Sequence, residues 1–470
     1  MPPTLAELRA RYGPRYRWYI LIAVMLGTMA SVMASTIVNV AVPDISRVFS
    51  LGQEKAQWLS AGFMAAMALS MPLTPWLLER HGYRRTYIGA ILLLLVGSVV
   101  GGLANSYELV MAMRVAEGLA AGVLQPIPAI IIIYAFTSAE RGKAMGWFGA
   151  AVVLSPALGP TIGGFLVDAF GWRAVFFVAA PLCLVSLALA RMLLPHTSPG
   201  GAKVNAHGTR LDVLGLGLAA GFILLLLNGL ALLHGSGVVG GSILLAASLV
   251  VLAVLVRHQH GKATPLMRLD LFAYRNFALG GLVSFIYGAS LFGSTYLLPV
   301  FMQMALRLPA SQAGAVLLPA GIALAVVIPL VGRWATRESR RYYITGGLAL
   351  LSLSFVLTAL VGIGTALSML VGLAVLGRVG LGCILPSLNL VALVGVSNTL
   401  VPQAMSLINL LRQLGGAVGV SLVGVVLEWR LAAHVNDPIA AFHETFVILG
   451  LLNALAILAA VLMNRAGSDD

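Results

Sequence analysis

The chain has 470 residues, of which 60% are hydrophobic and 10% are charged, and its mean hydropathy is +0.97. A soluble domain carries roughly 25% charged residues, because its surface must meet water. The composition therefore excludes a soluble globular protein, a disordered chain and a disulfide-rich scaffold. It predicts a protein that lies within a membrane.

Apolar tracts long enough to cross a bilayer recur along the whole chain. A spanning helix needs about 20 apolar residues, and 14 tracts of this kind lie between charges, Pro/Gly clusters and short polar breaks. In chain order they cover residues 18–42, 57–78, 86–104, 108–134, 144–167, 174–194, 212–233, 238–256, 276–302, 311–334, 342–363, 366–394, 402–427 and 444–463. The sequence thus predicts an all-α polytopic membrane protein with 14 transmembrane helices. The longest loop, at 195–212, is too short for a catalytic domain, so we do not expect an enzyme.

Basic residues lie mainly on one side of this predicted bundle. If the N-terminus is cytoplasmic, 21 Lys and Arg lie in cytoplasmic segments, 5 lie in the opposite loops and 3 lie within spans. Cytoplasmic loops of membrane proteins carry such an excess of positive charge. We therefore expect both termini to be cytoplasmic. The same distribution explains the net charge of +13 as a topology signal facing anionic lipid, and not as a nucleic-acid-binding surface.

An internal repeat divides the chain into two halves. The segment at 72–88 is echoed, with one gap, by the segment at 329–344, and both follow a span on the predicted cytoplasmic side. Parallel repeats of this kind are common in transporters, whose halves can rock about a central cavity. The predicted parts are an N-terminal six-helix bundle at 1–200, a linking helix pair at 201–262 and a C-terminal six-helix bundle at 263–470.

One acidic residue, Glu117, lies deep within a predicted span, whereas the other acids lie in loops or at span ends. Counted from Glu108 at about 1.5 Å per residue, it lies roughly 14 Å into the membrane. An ionisable group at that depth marks a candidate functional site, and removal from water favours its protonated form. Arg114 shares its helix face at i,i+3 and favours the carboxylate. Two interpretations stay open: a structural ion pair, or a group that exchanges protons or contacts substrate.

Two further arginines, Arg378 and Arg412, lie within predicted spans and have no acid within a helical turn. The segment at 378–382 weakly echoes 114–118, with Arg and Gly at matching positions. The arginines either bind carbonyls and loop acids or contact substrate. If they face a cavity, that cavity suits neutral or anionic amphiphiles better than cations. The candidate cavity residues are Thr36, Asn39, Gln125, Arg378 and Arg412. Ser, Thr and Asn within spans more often join helices than bind ligands.

Glycine and proline are concentrated in the fifth predicted span. The residues concerned are Gly149, Pro156, Gly159, Pro160, Gly163 and Gly164. Proline removes hydrogen bonds from a helix, and glycine allows a neighbouring helix to approach closely. The span is therefore either an ordinary kinked, tightly packed helix or one that pivots during transport.

Other chemical signals are weak. The sequence has no phosphate-binding loop, no paired intramembrane carboxylates and no metal-ligand motif, so no cofactor and no metal are expected. Its two cysteines, Cys183 and Cys383, both lie in apolar tracts and fit small core residues better than redox or ligand groups.

In this order, the motifs resemble those of the major facilitator superfamily, and within it the 14-helix drug:proton antiporter branch. Leu77, Glu79, Arg80, Gly82, Arg84 and Arg85 resemble its signature after span 2, Arg114 and Gly118 its span 4 signature, and the span 5 residues its antiporter signature. Stretches at 36–43, 211–212, 265–266, 275–277 and 412–416 resemble segments seen mainly in the 14-helix branch.

The resemblance implies an exporter of small hydrophobic or amphiphilic compounds in the bacterial inner membrane, driven by proton exchange and functional as a monomer. It implies that Glu79, Arg80, Gly82, Arg84 and Arg85 form a cytoplasmic gate, that Arg114 takes part in proton transfer, and that span 5 seals or pivots. Many relatives in Gram-negative cells work with a periplasmic adaptor protein, and the resemblance leaves that partner open here.

The chain departs from the family pattern at functional positions. Ala34 stands where span 1 commonly has Asp, Pro75 where Gly is usual, Glu79 where Asp is usual, and Glu117 where Gln is usual. We hypothesise that the protonatable group has moved from position 34 to position 117. The loss of the span 1 acid also favours an alternative function, an uncoupled facilitator or an exporter of an endogenous neutral or anionic metabolite.

Overall fold

The computed structural model describes residues 11–51, 53–197, 211–233, 237–262, 265–336, 338–435 and 437–463. These residues form helices and turns and contain no strand. The α-helices are α1 (Tyr16–Val48), α2 (Gln53–Ser70), α3 (Leu73–Leu103), α4 (Tyr107–Leu124), α5 (Ile127–Ala135), α6 (Ser138–Phe170), α7 (Ala174–Phe177), α8 (Ala179–Leu193), α9 (Val213–Leu232), α10 (Val238–His260), α11 (Arg275–Val300), α12 (Ala310–Trp334), α13 (Arg340–Thr358), α14 (Leu367–Val391), α15 (Val401–Ala433) and α16 (Pro438–Leu462).

The all-helical membrane fold is confirmed. Within the described residues, 11 helical segments are long and apolar enough to cross a bilayer. Helices α2, α6 and α13 occupy the positions of predicted spans but are not among these 11, and α2 contributes a shorter apolar helix at Trp58–Ser70. The number of 14 transmembrane helices therefore stays a prediction.

Local sequence signals explain where several helices begin and end. Helix α4 begins after Ser106, whose side chain accepts a hydrogen bond from the Leu109 N–H, as expected for an N-cap. Gln125 and Pro126 separate α4 from α5 inside one predicted span. The turn at 359–366 ends α13 and contains Gly364, whose φ of 87° favours glycine. The break predicted at 362–365 is thus confirmed.

The helices pack in the same pattern in the two halves. In the N-terminal half, α1 packs against α6 and α8, α2 against α4, and α3 against α4 and α8. In the C-terminal half, α11 packs against α15 and α16, α12 against α14, and α13 against α14 and α16. Each pairing in the first half has its counterpart in the second, which agrees with the internal repeat in the sequence.

Helices α9 and α10 pack mainly against each other, and α9 also contacts α2 and α15. Large apolar side chains of this pair are exposed, among them Leu214, Val239 and Leu249. Exposed apolar side chains on spanning helices are suited to lipid contact. The pair therefore lies mainly beside the two bundles, although Ile223 of α9 is buried in the core of the N-terminal half.

The buried carboxylate of Asp212 connects the start of α9 to the end of α10. It accepts hydrogen bonds from the Gly215 N–H at 2.9 Å, from Gln259 Nε2 at 2.9 Å and from the Lys262 ammonium, and it lies 3.0 Å from His258 Nε2. Burial raises the pKa of Asp212, but these hydrogen bonds outweigh it and hold the net pKa below the usual range. The Asp212 carboxylate therefore stays ionised throughout the neutral pH range.

Candidate functional site

The centre of the N-terminal half contains an ion pair that is closed to solvent. Arg114 Nη1 donates to Glu117 Oε2 at 2.7 Å, and the two side chains are 0% and 1% exposed. They lie three residues apart on α4 and share one face, as this spacing requires. Ser98 Oγ of α3 donates to the second carboxylate oxygen at 2.9 Å. Within its span, Glu117 therefore has a positive partner in Arg114 and a neutral hydrogen-bond donor in Ser98.

The arginine joins three further pieces of structure. Its Nε donates to the Leu59 carbonyl and its Nη1 to the Ala34 carbonyl, each at 3.0 Å, and the guanidinium lies 4.3 Å from the centre of the Phe63 ring. Leu59 and Phe63 belong to α2, and Ala34 belongs to α1. The ion pair thus connects α1, α2, α3 and α4 at one point.

In this conformation Glu117 is enclosed within the N-terminal bundle. A Cβ added at Gly97 of α3 would lie 2.7 Å from its Cγ, so α3 covers the carboxylate closely. Arg114 stands between Glu117 and the backbones of α1 and α2. A proton that reaches the carboxylate must therefore pass the arginine or follow a rearrangement of these helices.

Position 34 adjoins the same guanidinium. The carbonyl oxygen of Ala34 accepts a hydrogen bond from Arg114, and Glu117 binds the same Nη1 atom. The position where the family commonly carries an acid and the position where this chain carries one are thus neighbours of one arginine. An exchange of the acid between them would leave it beside that arginine.

The predicted gate lies at the junction of the two halves. Gly82 has a φ of 73° and interrupts α3 between Leu73–His81 and Tyr83–Leu103, a conformation for which glycine is suited. Glu79 Oε1, just before this break, accepts a hydrogen bond from Gln403 Nε2 of α15 at 3.0 Å. The Arg80 guanidinium lies 5.3 Å from the Trp76 ring centre. Arg84 and Arg85 follow the break, half-buried and exposed.

The same end of the molecule is closed by further contacts between the halves. We call this end the basic face; α1 begins there and it bears Arg80, Arg84 and Arg85. The Tyr134 hydroxyl donates to the Asn398 carbonyl, and the Ser406 hydroxyl donates to the Met71 carbonyl. A Cβ added at Gly332 of α12 would lie 2.5 Å from the Gly142 carbonyl oxygen of α6. The backbones of the two halves therefore touch at the basic face.

Helix α6 contacts different halves along its length. Near the basic face, a Cβ at Gly149 would lie 2.8 Å from Ile328 of α12, in the C-terminal half. Further along, added Cβ atoms at Gly159 and Gly163 would lie 2.4 Å from Thr36 and 2.7 Å from Ile37 of α1. Pro156 lies between the two contact regions. The helix therefore links α1 to the closed interface, as a pivot or seal requires.

One residue of the predicted span 5 motif contributes less to this packing. A Cβ added at Gly164 would meet only Val40, at 3.9 Å. The side chain of Pro160 lies outside the part of the chain that the structure describes. Neither the bend nor the pivot is thereby tested, and both stay predictions.

The candidate cavity residues do not form one cluster. In the N-terminal half, Thr36 Oγ1 donates to the Met33 carbonyl at 3.3 Å, Asn39 accepts from Ser60 of α2, and half-buried Gln125 has a weak contact with Met67 Sδ at 3.8 Å. The Asn39 and Gln125 contacts fit helix-joining roles, whereas the Thr36 hydrogen bond lies within α1.

In the C-terminal half, Arg378 Nη2 donates to Thr295 Oγ1 at 3.0 Å, and Arg412 Nη2 donates to Asn409 Oδ1. Within the described residues, neither arginine forms a salt bridge. These two basic groups therefore differ from the paired Arg114.

Sequence reasoning missed the partners that lie far away in the chain. Ser98 and Gln403 each bind a predicted site residue from another helix. Tyr287, whose buried hydroxyl has no hydrogen-bond partner among the described residues, was also missed. A hydroxyl or amide in an apolar tract was the only signal for each of them. Both cysteines are free, and the described residues contain no group of three His, Cys, Asp or Glu that could hold a metal ion.

The fold and these motifs define a helical transporter with two related halves. A family model described as Major Facilitator Superfamily matches residues 24–420, and the chain belongs to this family.

Curated relatives include transporters named for multidrug export. The chain is 28% identical to the multidrug export protein EmrB of Haemophilus influenzae, over 88% of this chain and 81% of that protein. It is 28% identical to the multidrug resistance protein Stp of Mycobacterium tuberculosis, over 95% and 84% respectively. It is 26% identical to the uncharacterised transporter YcnB of Bacillus subtilis, over 94% and 92%.

Solved structures of the family share the fold. The human organic anion transporter MFSD10 (TETRAN) superimposes with a TM-score of 0.69 at 16% identity, covering 94% of this chain and 99% of that one. The proton:xylose symporter XylE superimposes with a TM-score of 0.65 at 15% identity, covering 95% of each chain. The chain is thus a multi-pass membrane transporter, and members of its family bind small-molecule substrates.

Proposed function

We propose that this protein exports small hydrophobic or amphiphilic compounds across the bacterial inner membrane in exchange for protons, by alternating access. The names of the multidrug relatives support the export of drug-like compounds. The observation that carries the proposal is the enclosed Arg114–Glu117 pair beside the carbonyl of Ala34. An ionisable residue inside the bilayer is a functional candidate by default.

The contacts of this pair suggest how a proton acts on the fold. Protonation of Glu117 removes the negative charge that holds Arg114, which then interacts more freely with the carbonyls of Ala34 and Leu59. Those carbonyls belong to α1 and α2, and α1 packs against α6. Helix α6 in turn contacts α12 at Gly142 and Gly146. A change at Glu117 can therefore reach the interface between the halves.

The predicted topology assigns a direction to this cycle. The closed basic face, with Glu79 bonded to Gln403, is the cytoplasmic side if both termini are cytoplasmic. The conformation then faces outward, where an exporter releases its cargo and takes up a proton. Protonation of Glu117 would next favour the inward-facing conformation, in which the basic face opens.

The experiment that tests this proposal is transport by purified protein in liposomes with an imposed pH gradient, using a panel of amphiphilic dyes. We expect Glu117→Gln to reduce gradient-driven transport by at least about 100-fold, because the neutral amide cannot release a proton. Counterflow without a gradient should persist. Glu444→Gln, which changes a half-buried acid bonded to Arg430 and His434, is the matched control and should behave as the wild type.

A second candidate function is uncoupled export. It is favoured by Ala34 in place of the span 1 acid, and by the enclosure of Glu117, which among the described residues is the one buried acid deep within a span. Counterflow that responds to no pH gradient, together with gradient-independent transport by Glu117→Gln, would select this function and overturn proton coupling.

A further inference from the structure

We propose that the C-terminal half holds a binding site for the anionic head group of an amphiphilic substrate, formed by Arg378, Arg412 and Tyr287. A carboxylate or a sulfonate on an apolar body is the chemical class that this site accepts. The inference rests on the proposed export function and names the substrate class of that transporter.

Three helices bring these residues together. Arg378 lies on α14, Arg412 on α15 and Tyr287 on α11. Helices α11 and α15 approach closely, since a Cβ at Gly288 would lie 2.0 Å from the Arg412 carbonyl oxygen. This contact brings the backbone next to Tyr287 to the backbone of Arg412. Arg378 reaches the same helix through its hydrogen bond to Thr295, about two helical turns after Tyr287.

The hydrogen-bonding capacity of this cluster is only partly used. The Tyr287 side chain is 1% exposed, and its hydroxyl has no hydrogen-bond partner among the described residues. Each guanidinium carries five N–H donors, and one side-chain acceptor is recorded for each of them, Thr295 for Arg378 and Asn409 for Arg412. A buried hydroxyl without a partner is costly. A ligand oxygen would supply the missing partner.

The charge of the cluster decides which ligand fits. Arg378 and Arg412 are not part of any salt bridge in the described residues. Two unpaired positive charges within the membrane repel a cationic amphiphile and attract an anion. Guanidinium groups bind carboxylate-like oxygens through paired N–H donors, and the resulting bonds are stronger than bonds between neutral groups. An anionic head group therefore gains most at this site.

The position of Arg378 suits a substrate path between the halves. Leu385 follows it by seven residues on α14, which is two helical turns and the same face. Leu385 lies 3.5 Å from a Cβ added at Gly149 of α6, in the other half. Arg378 is thus on the face of α14 directed at the N-terminal half, farther from the basic face than the closed contact.

Equilibrium binding in nanodiscs of phosphatidylcholine tests this site without any pH gradient. The probes are 1-naphthylacetate, neutral 2-(1-naphthyl)ethanol and the (1-naphthylmethyl)trimethylammonium cation, with empty nanodiscs as the blank. We expect the full-length wild type to bind the anion at least about 10-fold more tightly than the cation, because guanidinium groups form charge-assisted hydrogen bonds with an anion and repel a cation.

The substitutions separate charge from packing. The double variant Arg378→Gln/Arg412→Gln should abolish the preference for the anion and leave the affinity for the neutral probe within about twofold of the wild type. The double variant Arg378→Lys/Arg412→Lys should retain a preference for the anion. Tyr287→Phe should lower the affinity for the anionic probe by a few-fold, roughly the effect of one lost hydrogen bond. Arg430→Gln, at an exposed site paired with Glu444, is the control. Thermal unfolding of each variant identifies any loss of fold.

Three outcomes would overturn the inference. These are equal binding of anion and cation by the wild type, equal weakening of all three probes by the Arg→Gln changes, or loss of anion binding when phosphatidylglycerol is added, which would assign the site to a lipid head group. Selective anion binding with no transport in the proteoliposome assay would instead contradict the proposed function and leave this site intact.

Discussion

Two arginines occupy matching positions in the two halves of the molecule, and they have opposite surroundings. Arg114 has a carboxylate one turn away and binds two backbone carbonyls. Arg378 has buried Leu381 at the corresponding position and binds one hydroxyl. The glycine four residues further along packs against the second spanning helix of its own half in both cases, Gly118 on Phe63 of α2 and Gly382 on Val327 of α12. The repeats thus share packing and differ in charge.

This difference suggests a division of labour. In the N-terminal half, positive and negative charges cancel inside the bundle, which suits a group that changes protonation without binding cargo. In the C-terminal half, Arg378 and Arg412 form no salt bridge among the described residues, which suits groups that bind cargo. The following changes test how far the comparison holds.

The largest expected difference is between Arg114→Gln and Arg378→Gln. Removing Arg114 leaves the Glu117 carboxylate buried without its counter-charge, which should cost about 3–5 kcal/mol of folding free energy. Removing Arg378 frees only the exposed Thr295 hydroxyl and should cost less than about 1 kcal/mol. Thermal unfolding of the purified proteins measures both, and Arg114→Gln/Glu117→Gln should regain most of the loss. Equal destabilisation by the two single changes would contradict the comparison.

A smaller difference should separate Gly118→Ala from Gly382→Ala. A Cβ at Gly118 would lie 2.3 Å from the backbone carbonyl oxygen of Phe63, whereas one at Gly382 would lie 2.8 Å from a Val327 side-chain atom. A backbone atom moves aside less easily than a side chain. We therefore expect Gly118→Ala to lower the folding stability by about 2 kcal/mol and Gly382→Ala to lower it by less than about 1 kcal/mol. The same unfolding assay applies, and the opposite order would show that the halves pack differently.

The smallest expected effect comes from giving the C-terminal half the acid that it lacks. Leu381→Glu places a carboxylate three residues after Arg378, as Glu117 is placed relative to Arg114. We expect the affinity for 1-naphthylacetate to fall about 10-fold, the equivalent of about 1.4 kcal/mol. Leu381→Gln is similar in size and uncharged, so it should have a smaller effect. If both variants bind the anion equally well, position 381 does not control the charge of the site.

Much of the fold could be predicted because its signals are local. Charge-free tracts located the helices, and the predicted breaks at 362–365 and 397–399 both lie between α-helices in the structure. The spacing of Arg114 and Glu117 alone required a shared face. The repeat at 72–88 and 329–344 predicted halves of the same design, and the matching helix contacts agree with it.

What the sequence could not provide are contacts between distant segments. Glu79 and Gln403 are 324 residues apart, and no periodicity connects them. The approach of α11 to α15, which brings the backbone next to Tyr287 to that of Arg412, depends on glycine-lined helix packing. The sequence therefore identified Arg378 and Arg412 as candidates but left open whether carbonyls, acids or substrate would bind them.

An anionic cargo held by Arg378 and Arg412 would carry its own charge through the bilayer. The membrane voltage of a bacterium is negative inside, and it contributes about 2.3 kcal/mol per elementary charge for each 100 mV. Exit of a monoanion is favoured by this amount, which corresponds to an outward concentration ratio of roughly 50-fold per 100 mV. A cell whose pH gradient has collapsed but whose membrane voltage persists would then still export this cargo through the protein.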